Sequence, residues 1–552
     1  MGDMQRRKAY LHRRVNDMNA DFQTYRETAR DLRDFILPYT GRDLDEQGAR
    51  QETDGRKRMS YIYDSSATDD AESFGAAIQT NSMSPSLPWF SLGAGDPTTA
   101  DLYTVREWID EVERRFYAVL RGSNIYQAVR PGMTELPIYG TWAMALLESD
   151  DSIIRAIPHT FGEYRIAQSD AGIVDVFYRK TNRTLRQIVQ RYGLENLNEK
   201  MQDAYKHGRL ETYYTVEYLI EPNDQDAMPF PDAPNKPFRA ITWIDQGGYV
   251  ELATEGFDEF PIMVPRYARV GNAVYGYGVG HIILPDVMEL QLTSKDRRMV
   301  AEQIARPSML SIGMKASDFD LNANGINIGD QGSDLKPAYT PNAQAYTVLT
   351  DAIERLQSKI RRTMHVDLFR QLIDSDRRQM TAAEVHERTS QAMALLGPLA
   401  EALTNELHDP IISRVFGIMQ RRGLLPPAPS ELQGKPLTVQ YISPLARAQR
   451  MLNINASDRF VAFVGATAGL KPDVLDGVDF DSLVKGYAND LGMENKTMIG
   501  DDQVQAMREQ RAQVQQQAQQ AAIQNQQAMA AKNSAQAQAV TTDQLIGGLT
   551  GG

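Results

Sequence analysis

Three acidic residues close together in the sequence, Asp69, Asp70 and Glu72, are the first candidates for chemistry. Carboxylate oxygens are the ligands that hard divalent cations prefer, so such a cluster could hold a metal ion. The same residues lie at the start of a helix predicted from about Thr68 to Gln79, where the helix dipole favours negative charge. The pattern favours this structural role, and no metal site is predicted.

The glycine-rich run Gly276–Gly280, with sequence GYGVG, is the nearest approach to a phosphate-binding loop. Its spacing differs from the dinucleotide fingerprint G-x-G-x-x-G, and no βαβ pattern surrounds it. The chain also lacks the G-x-x-x-x-G-K-[ST] loop that cradles nucleotide phosphates and the G-x-S-x-G nucleophile elbow. We interpret the run as a flexible hinge before a helix.

Histidine and cysteine usage points away from catalysis. None of the histidines forms an H-E-x-x-H or similar cluster with a carboxylate. The absence of cysteine excludes disulfides and thiolate chemistry and argues against a zinc site. We therefore expect no metal, no cofactor and no enzymatic activity. The scattered histidines are His12, His159, His207, His281, His365, His386 and His408.

The 552-residue chain is acidic, with a formal net charge of −13, and 42% of its residues are hydrophobic. That length allows roughly two to four domain-sized units. A tight DNA-binding protein usually has a basic surface, so the charge argues against tight binding but not against DNA sliding past. The first residues lack the apolar stretch of a secretory signal, and no run of about 18 apolar residues occurs, so we expect no membrane association.

Apolar residues at spacings near three and four predict helices at about 3–37, 68–79 and 104–120. Between about 153 and 262, short segments of β-branched and aromatic residues are bounded by Gly, Pro, Asn and Asp, as strands are. A helix near Leu185 to Tyr192 interrupts them. The expected fold class is therefore α+β and mostly α-helical, with a small, mostly antiparallel sheet.

The pair Trp89-Phe90 follows two prolines, Pro85 and Pro88. Two neighbouring aromatic side chains of this kind could form a binding patch. Aromatic residues are more often buried in a domain core, because they remove a large apolar area from water. We therefore predict that both side chains are core residues.

Two long helices are predicted after residue 281. Pro285 suits the first turn of a helix that runs to about Ala305. In the second helix, apolar residues alternate spacings of three and four, which places them along one face as at a helix–helix seam. These seam residues are Tyr346, Leu349, Ile353, Leu356 and Ile360.

A polar break at 374–380 contains Arg377 and Arg378, which could touch phosphates, although a short charged loop is usually just solvated. In the helix that follows, Pro398 removes one backbone donor, so we expect a kink there. Pro410 should produce a second kink or a restart.

The end of the chain has low sequence complexity. Between residues 503 and 539, 25 of 37 residues are Gln or Ala. Both residue types favour helix, but the stretch has too few large apolar side chains to fold alone. It is expected to be disordered or to be a helix that neighbouring subunits stabilise.

Three stretches of the sequence have a pattern of residues specific enough to compare with a known family. The first is YIYDSSATDDAESFGAAIQTNSMSPSLPWFSL at 61–92, a turn and a small-residue helix before a proline-flanked Trp-Phe. The others are MTAAEVHERTSQAMALLGPLAEALTNELHDPIISRVFGIMQRRGLLPPAP at 380–429 and YISPLARAQR at 441–450. Together they resemble the podophage head-to-tail connecting (portal) protein family, and the similarity spans most of residues 1–490.

The resemblance implies a portal architecture, in which a ring of twelve subunits surrounds a DNA channel. It places Arg377 and Arg378 at the channel constriction. With a ring, we expect the burial of Ile353 to depend on a neighbouring subunit. The implied segments are a wing at 1–281, a first stem helix at 282–305, a clip at 306–342, a second stem helix at 343–373, a channel loop at 374–380, a long kinked helix at 381–425, a crown at 426–502 and a tail at 503–552.

The implied function is structural: the ring nucleates the procapsid, admits DNA and then holds the tail. The implied partners are further copies of the chain, double-stranded DNA held transiently and without sequence preference, the terminase large subunit, the major capsid and scaffolding proteins, and a tail adaptor. The implied location is the virion, after assembly in the host cytoplasm. Two alternatives stay open, namely another virion component such as an internal ejection protein, and a nucleotide-dependent enzyme, which the missing phosphate loop disfavours.

Overall fold

The chain divides into two compact units. The first comprises residues 1–91, 112–426 and 439–455, and the second comprises 92–111, 427–438 and 456–552. The computed structural model describes residues 2–41, 44, 59–60, 62–96, 99, 102–223, 236–246, 248–312, 334–338, 342–366, 396–432, 434, 437–443, 460–467, 471, 477–491 and 501–547.

The N-terminal helix α1 (Gly2–Phe35) matches its predicted bounds closely. Leu11 and Met18 lie on its buried face and pack against Leu219 and Trp243 of a sheet. The helix ends before Pro38, because the residue that precedes a proline is disfavoured in the helical conformation.

Two helices in the first unit cross closely after α1. Helix α2 (Ser66–Ser82) precedes strand β1 (Phe90–Ala94) and helix α3 (Tyr103–Gly122), and helix α4 (Ile125–Tyr139) follows. A Cβ on Gly75 of α2 would lie 2.7 Å from the Cα of Thr134 of α4, so only glycine permits this approach. Helix α4 was not predicted, because prolines within it obscure the helical pattern.

The strands between residues 143 and 263 form antiparallel sheets, as predicted. A three-stranded sheet has the order β3-β2-β9, and a five-stranded sheet has the order β4-β5-β6-β7-β8. Strand β1 pairs with β12. The strands are β2 (Ala143–Ser149), β3 (Ile153–His159), β4 (Tyr164–Gln168), β5 (Val174–Thr184), β6 (Tyr213–Pro222), β7 (Phe238–Ile244), β8 (Val250–Phe257), β9 (Ile262–Met263) and β12 (Leu437–Tyr441).

Two short helices connect β5 to β6. Helix α5 (Leu185–Tyr192) confirms the predicted bounds and begins with a capping box between Thr184 and Gln187. Helix α6 (Glu199–Lys206) follows, with Asn198 as its N-cap, and was not predicted. With helix and strand in these proportions, the described residues confirm the α+β, mostly helical class.

Two long helices follow residue 278, and the first begins earlier than predicted. Helix α7 (Val279–Ala305) begins six residues before Pro285, so that proline lies inside the helix and not in its first turn. A hairpin of β10 (Met309–Ile312) and β11 (Asp334–Pro337) follows. Helix α8 (Ala343–Thr363) ends just before His365, whose left-handed φ of 56° interrupts the helix. Residues 367–373 of the predicted second stem helix lie outside the described residues.

The next described helix starts at residue 396 and changes its winding before it continues. Residues 396–403 are helical, Thr404–His408 form a π-helical turn, and α9 (Asp409–Arg421) follows. Pro410 lies in the first turn of α9, and the kink or restart expected there stays a prediction. A kink at Pro398 stays a prediction.

The second unit contains a helical segment at 460–467, helix α10 (Phe480–Leu491) and helix α11 (Asp501–Gly547). Arg508 of α11 makes ion pairs of 2.7 and 2.8 Å with Asp481 of α10. The 47 residues of α11 contain the Gln/Ala-rich stretch, so the helical alternative for the tail is the one observed.

Candidate functional site

Helices α7 and α8 form a pair of long helices in the first unit. At ~1.5 Å per residue the helices are ~40 and ~32 Å long, and they pack against each other. Lys359 near the end of α8 lies 2.7 Å from Asp286 near the start of α7, so the helices run antiparallel. We call them the helix pair.

The predicted seam residues lie on the packed face of α8, but only in its C-terminal half. Ile353 is 2% exposed and Ile360 is fully buried in the single chain. The expectation that a neighbouring subunit buries Ile353 is therefore wrong, since packing within this chain already covers it. Tyr346, at the other end of the seam, is 40% exposed, and Leu349 is half-buried.

A loop before α2 anchors the helix pair through Asp64. The buried Gln291 of α7 accepts the backbone N–H groups of Tyr63 and Asp64 at 2.7 and 3.0 Å and donates to the Asp64 carbonyl at 2.7 Å. Gln357 of α8 donates to the Asp64 carboxylate at 2.8 Å. The same carboxylate accepts the backbone N–H of Ser66 at 2.9 Å. One short loop thereby holds both long helices at a fixed spacing.

The acidic residues of α2 serve separate structural contacts. Asp70 is buried and pairs with Arg361 of α8 at 3.2 Å, which adds a second anchor for the helix pair. Glu72 accepts a hydrogen bond from Tyr39, and Asp69 lies in the first turn of α2 as expected. In the part of the chain that the structure describes, no three His, Asp or Glu side chains converge to hold a metal ion.

The glycine-rich run is a close backbone crossing, so its interpretation as a flexible hinge is wrong. A Cβ on Gly276 would lie 2.1 Å from the carbonyl oxygen of Gly140, and one on Gly278 would lie 2.4 Å from that of Pro137. A Cβ on Gly280 would meet the Ile138 oxygen at 2.4 Å. The glycines allow the start of α7 to lie directly on the end of α4.

The π-helical turn directs Glu406 towards a buried arginine. Arg266 is 2% exposed, and its backbone N–H and Nε donate to Glu406 at 2.7 and 3.1 Å. Its guanidinium also donates to Gln168 at 2.8 Å and to the Gly172 carbonyl at 2.7 Å. The buried charge is thus paired and its donors are largely used, as a charge in a protein interior requires.

A second buried arginine fastens α9 to the three-stranded sheet. The Arg414 Nε donates to the Leu146 carbonyl at 2.6 Å, and its Nη1 lies 3.2 Å from the Glu259 carboxylate. Burial lowers the pKa of Arg414, and Glu259 opposes that shift. Arg421 adds ion pairs to Glu259 and Glu148 at 2.6 and 3.1 Å. We call these contacts of Arg414 and Arg421 with Leu146, Glu148 and Glu259 the latch.

The predicted core pair Trp89-Phe90 is confirmed, since both side chains are fully buried. His408 from the π-helical turn packs against the rings of Trp89 and Tyr441, at centroid distances of 5.1 and 5.6 Å. Neither ring nitrogen of His408 has a hydrogen-bond partner among the described residues. Burial lowers its pKa to about 3, so this histidine is neutral in the folded chain.

Arg377 and Arg378, the predicted channel residues, lie outside the described residues. The sequence analysis did not identify the contacts of Asp64 with the helix pair or of Arg414 with the sheet. The partners are more than 100 residues apart, and local spacing does not reveal such partners. The sequence signal for these residues is their position, since Asp64 and Arg414 lie within the stretches 61–92 and 380–429 that resemble the family. None of the described helices is both long and apolar enough to cross a membrane.

The chain is similar to portal proteins along most of its length. It matches the family model described as "Bacteriophage head to tail connecting protein" over residues 8–499. It is 33% identical to the portal protein of Salmonella phage epsilon15 over 495 residues, 89% of this chain and 88% of that relative. It is 31% identical to the probable portal protein of Bordetella phage BPP-1 over 527 residues, 94% of this chain and 93% of that relative.

One solved structure, the neck of an empty GTA particle computed with C6 symmetry, aligns at 12% identity over 80% of this chain and 99% of that chain. Its TM-score of 0.35 is too low for the likeness to carry an argument.

Proposed function

Because this chain belongs to the bacteriophage head-to-tail connecting protein family, we propose that it is the portal subunit of a phage particle. The observation that carries the proposal is the match over residues 8–499, together with portal relatives that are 31–33% identical. The helix pair supports the proposal, because two long antiparallel helices held at a fixed spacing are suited to form the wall of a channel. The role is structural, and we propose no catalytic step.

The family implies assembly into an oligomeric ring with other virion components. We propose twelve copies, with α7 and α8 as the two stem helices and the β10–β11 hairpin as part of the clip. Identical subunits that meet through different surfaces close into a ring when the rotation between them fits. The region before residue 281 is the proposed wing, and the part after 426 is the proposed crown.

The proposed partners are those that a channel needs in order to fill a capsid with DNA and later release it. The ring assembles in the host cytoplasm with the major capsid and scaffolding proteins, takes up DNA driven by the terminase large subunit, and then binds a tail adaptor. The virion is its final location. DNA passes through without sequence-specific contacts, because a duplex that moves past every base pair must not be held strongly at any one of them.

Electron microscopy of the purified chain in negative stain tests the proposal. We expect rings with a central hole, and native mass spectrometry should give a mass of twelve chains. A strictly monomeric chain would favour the alternative of another virion component, such as an internal ejection protein. ATP hydrolysis by the pure chain would revive the nucleotide-dependent enzyme.

Arg377 and Arg378 are the proposed DNA contacts of the channel loop. The chain has a formal charge of −13, so the average field of a ring repels DNA, and a few cations at a constriction would steady the duplex. Replacing both arginines by alanine should leave ring formation unchanged and reduce packaging or retention of DNA. Packaging efficiency in an assembled system measures the effect, and unchanged packaging would contradict the role.

Weak binding is expected of the intact ring itself. Its dissociation constant for linear duplex DNA should be no tighter than about micromolar near physiological salt, as is typical of non-specific binding. Nanomolar, sequence-selective binding in a fluorescence assay would indicate a DNA-recognition protein and not a sliding channel.

A further inference from the structure

Strand β5 and helix α5 share a stretch of strongly basic sequence. Residues 179–192, RKTNRTLRQIVQRY, contain five arginine or lysine residues and no aspartate or glutamate. The whole chain has 72 acidic and 59 basic residues, so this local excess of positive charge is opposite in sign to the chain as a whole. A concentrated basic face is typical of a surface that binds a negatively charged partner.

Every side chain on the exposed face of α5 can donate hydrogen bonds, and none is acidic. Leu185 and Ile188 bury the opposite face of the helix by packing against Val216 of β6. At ~100° per residue, the four exposed positions span ~140° around the helix axis. In order around the axis they are Arg186, Gln190, Gln187 and Arg191.

Arg183 of β5 lies on the same side of the sheet as α5. Thr181, two residues before it, is paired with Val216, which α5 covers, and alternate residues of a strand share a face. Burial lowers the pKa of Arg183, and the positive charges of Arg191 and Arg179 also lower it. Both of these guanidinium groups are therefore close enough to repel that of Arg183.

Two of these three arginines have no partner of opposite charge. Arg179 pairs with Glu163 at 3.0 Å. Within the described part of the chain, neither Arg183 nor Arg191 has a carboxylate oxygen within 4 Å of its nitrogens. The Arg191 guanidinium lies over the Tyr192 ring, 5.4 Å from the ring centroid, which limits its freedom without neutralising its charge.

Ordinary structural roles account for part of this charge. Arg191 lies in the last turn of α5, where the helix dipole favours a cation. Arg186 pairs with Glu211 at 3.5 Å, but both side chains are more than half exposed, so the pair contributes little to stability. Neither role applies to Arg183, which is half-buried beside two like charges. An anion from outside the chain would offset that repulsion.

We propose that β5 and α5 form a binding face for the backbone phosphates of double-stranded DNA, with Arg183 and Arg191 at its centre and Arg186 at its edge. Arginine suits this ligand, because its planar guanidinium donates two parallel hydrogen bonds to phosphate oxygens. The face is an exposed surface, so it fits a long polyanion better than a free phosphate ion. The choice of DNA rests on the proposed function, in which a duplex passes the subunit.

Fluorescence anisotropy with a short labelled duplex tests the face. The variant that combines Arg183→Gln with Arg191→Gln keeps hydrogen-bond donors at both positions and loses both charges. Its affinity for DNA should fall about ten-fold at low salt, and the slope of log K against log salt concentration should decrease by about two, since two phosphate contacts are lost. Its thermal melting should not fall, because the substitutions remove a repulsion and no ion pair.

Arg6 and Arg13 of α1 provide the matched control. Both are exposed, and neither has an ion-pair partner among the residues that the structure describes. Arg6→Gln with Arg13→Gln removes the same number of positive charges from the chain. It should leave the affinity for DNA and the salt slope almost unchanged, because exposed charges away from the contact are screened by salt.

Inorganic phosphate distinguishes DNA from a small anion. At equal ionic strength, sodium phosphate and sodium chloride should displace the duplex equally. Stronger displacement by phosphate, absent from the variant at Arg183 and Arg191, would overturn the assignment to DNA in favour of a site for a small anion.

The binding face and the portal function can fail separately. The face is overturned if the original chain binds no DNA at low salt, or if the variant at Arg183 and Arg191 binds as tightly as the control variant. Rings formed by the original chain would leave the proposed function standing in both cases. Absence of rings would contradict the proposed function, whereas DNA binding through this face can still be measured, since its residues lie within one chain.

Discussion

At the scale of single residues, His408 makes the stability of the fold depend on pH. Its ring is buried against Trp89 and Tyr441, and its pKa is lowered to about 3 from 6.5. Between those two values the unfolded chain binds a proton that the folded chain does not, so the folded state loses stability as pH falls below about 6.5. The slope from one such group is about 1.4 kcal/mol per pH unit.

Replacing His408 by Phe should remove that loss, because the ring stays aromatic and no longer titrates. The free energy of unfolding in urea, relative to the original chain, should rise by about 2 kcal/mol between pH 7.5 and pH 5. Buried Glu135, whose pKa is raised to about 7 by burial, changes stability in the opposite direction. It is present in both proteins and cancels in the comparison. Parallel pH profiles would show that His408 is not buried in its neutral form.

At the scale of elements, the latch decides how α9 sits on the three-stranded sheet. Arg414 is 2% exposed, and its loss would leave the Leu146 carbonyl without its buried donor, whereas Glu259 would keep its ion pair with Arg421. Leaving a buried acceptor unsatisfied is costly, so Arg414→Met should lower the free energy of unfolding by about 2 kcal/mol. Chemical denaturation measures the difference.

The residue that follows α9 offers a matched control for the latch. Arg422 pairs with Asp150 at 3.1 Å, but that pair is exposed to solvent. Solvent-exposed ion pairs contribute little to stability, so Arg422→Met should leave the unfolding midpoint almost unchanged. Equal effects of the two substitutions would mean that burial of Arg414 does not determine the strength of the latch.

At the scale of the whole molecule, the tail should be dispensable for ring formation. Helix α11 has exposed side chains through most of its described length, and its described ion pair is the one between Arg508 and Asp481. A helix without a buried face adds little to the stability of the body. A chain that ends at Asp502 should therefore form rings of the same subunit number, as native mass spectrometry would report. Unfolded or monomeric protein would show that the tail belongs to the assembling body.

The sequence by itself determined the elements whose signals are local. Helix α1 and helix α5 were predicted because apolar spacing and bounding residues lie within one segment. The antiparallel strands were predicted from their alternation and their turn residues. The family also followed from the sequence alone, since the stretches at 61–92 and 380–429 identify it, and the match over residues 8–499 confirmed it.

Only the tertiary structure decided which partner each side chain has. Asp64 and Gln357 are 293 residues apart, and no local pattern shows that they meet. The same holds for the glycines at 276–280, whose small size is needed because the end of α4 lies against them. Ile353 was placed correctly on an apolar face, yet its covering partner was assigned wrongly. Periodicity reports which face of a helix is buried, whereas the identity of the covering surface depends on contacts between distant segments, which form only when the chain folds.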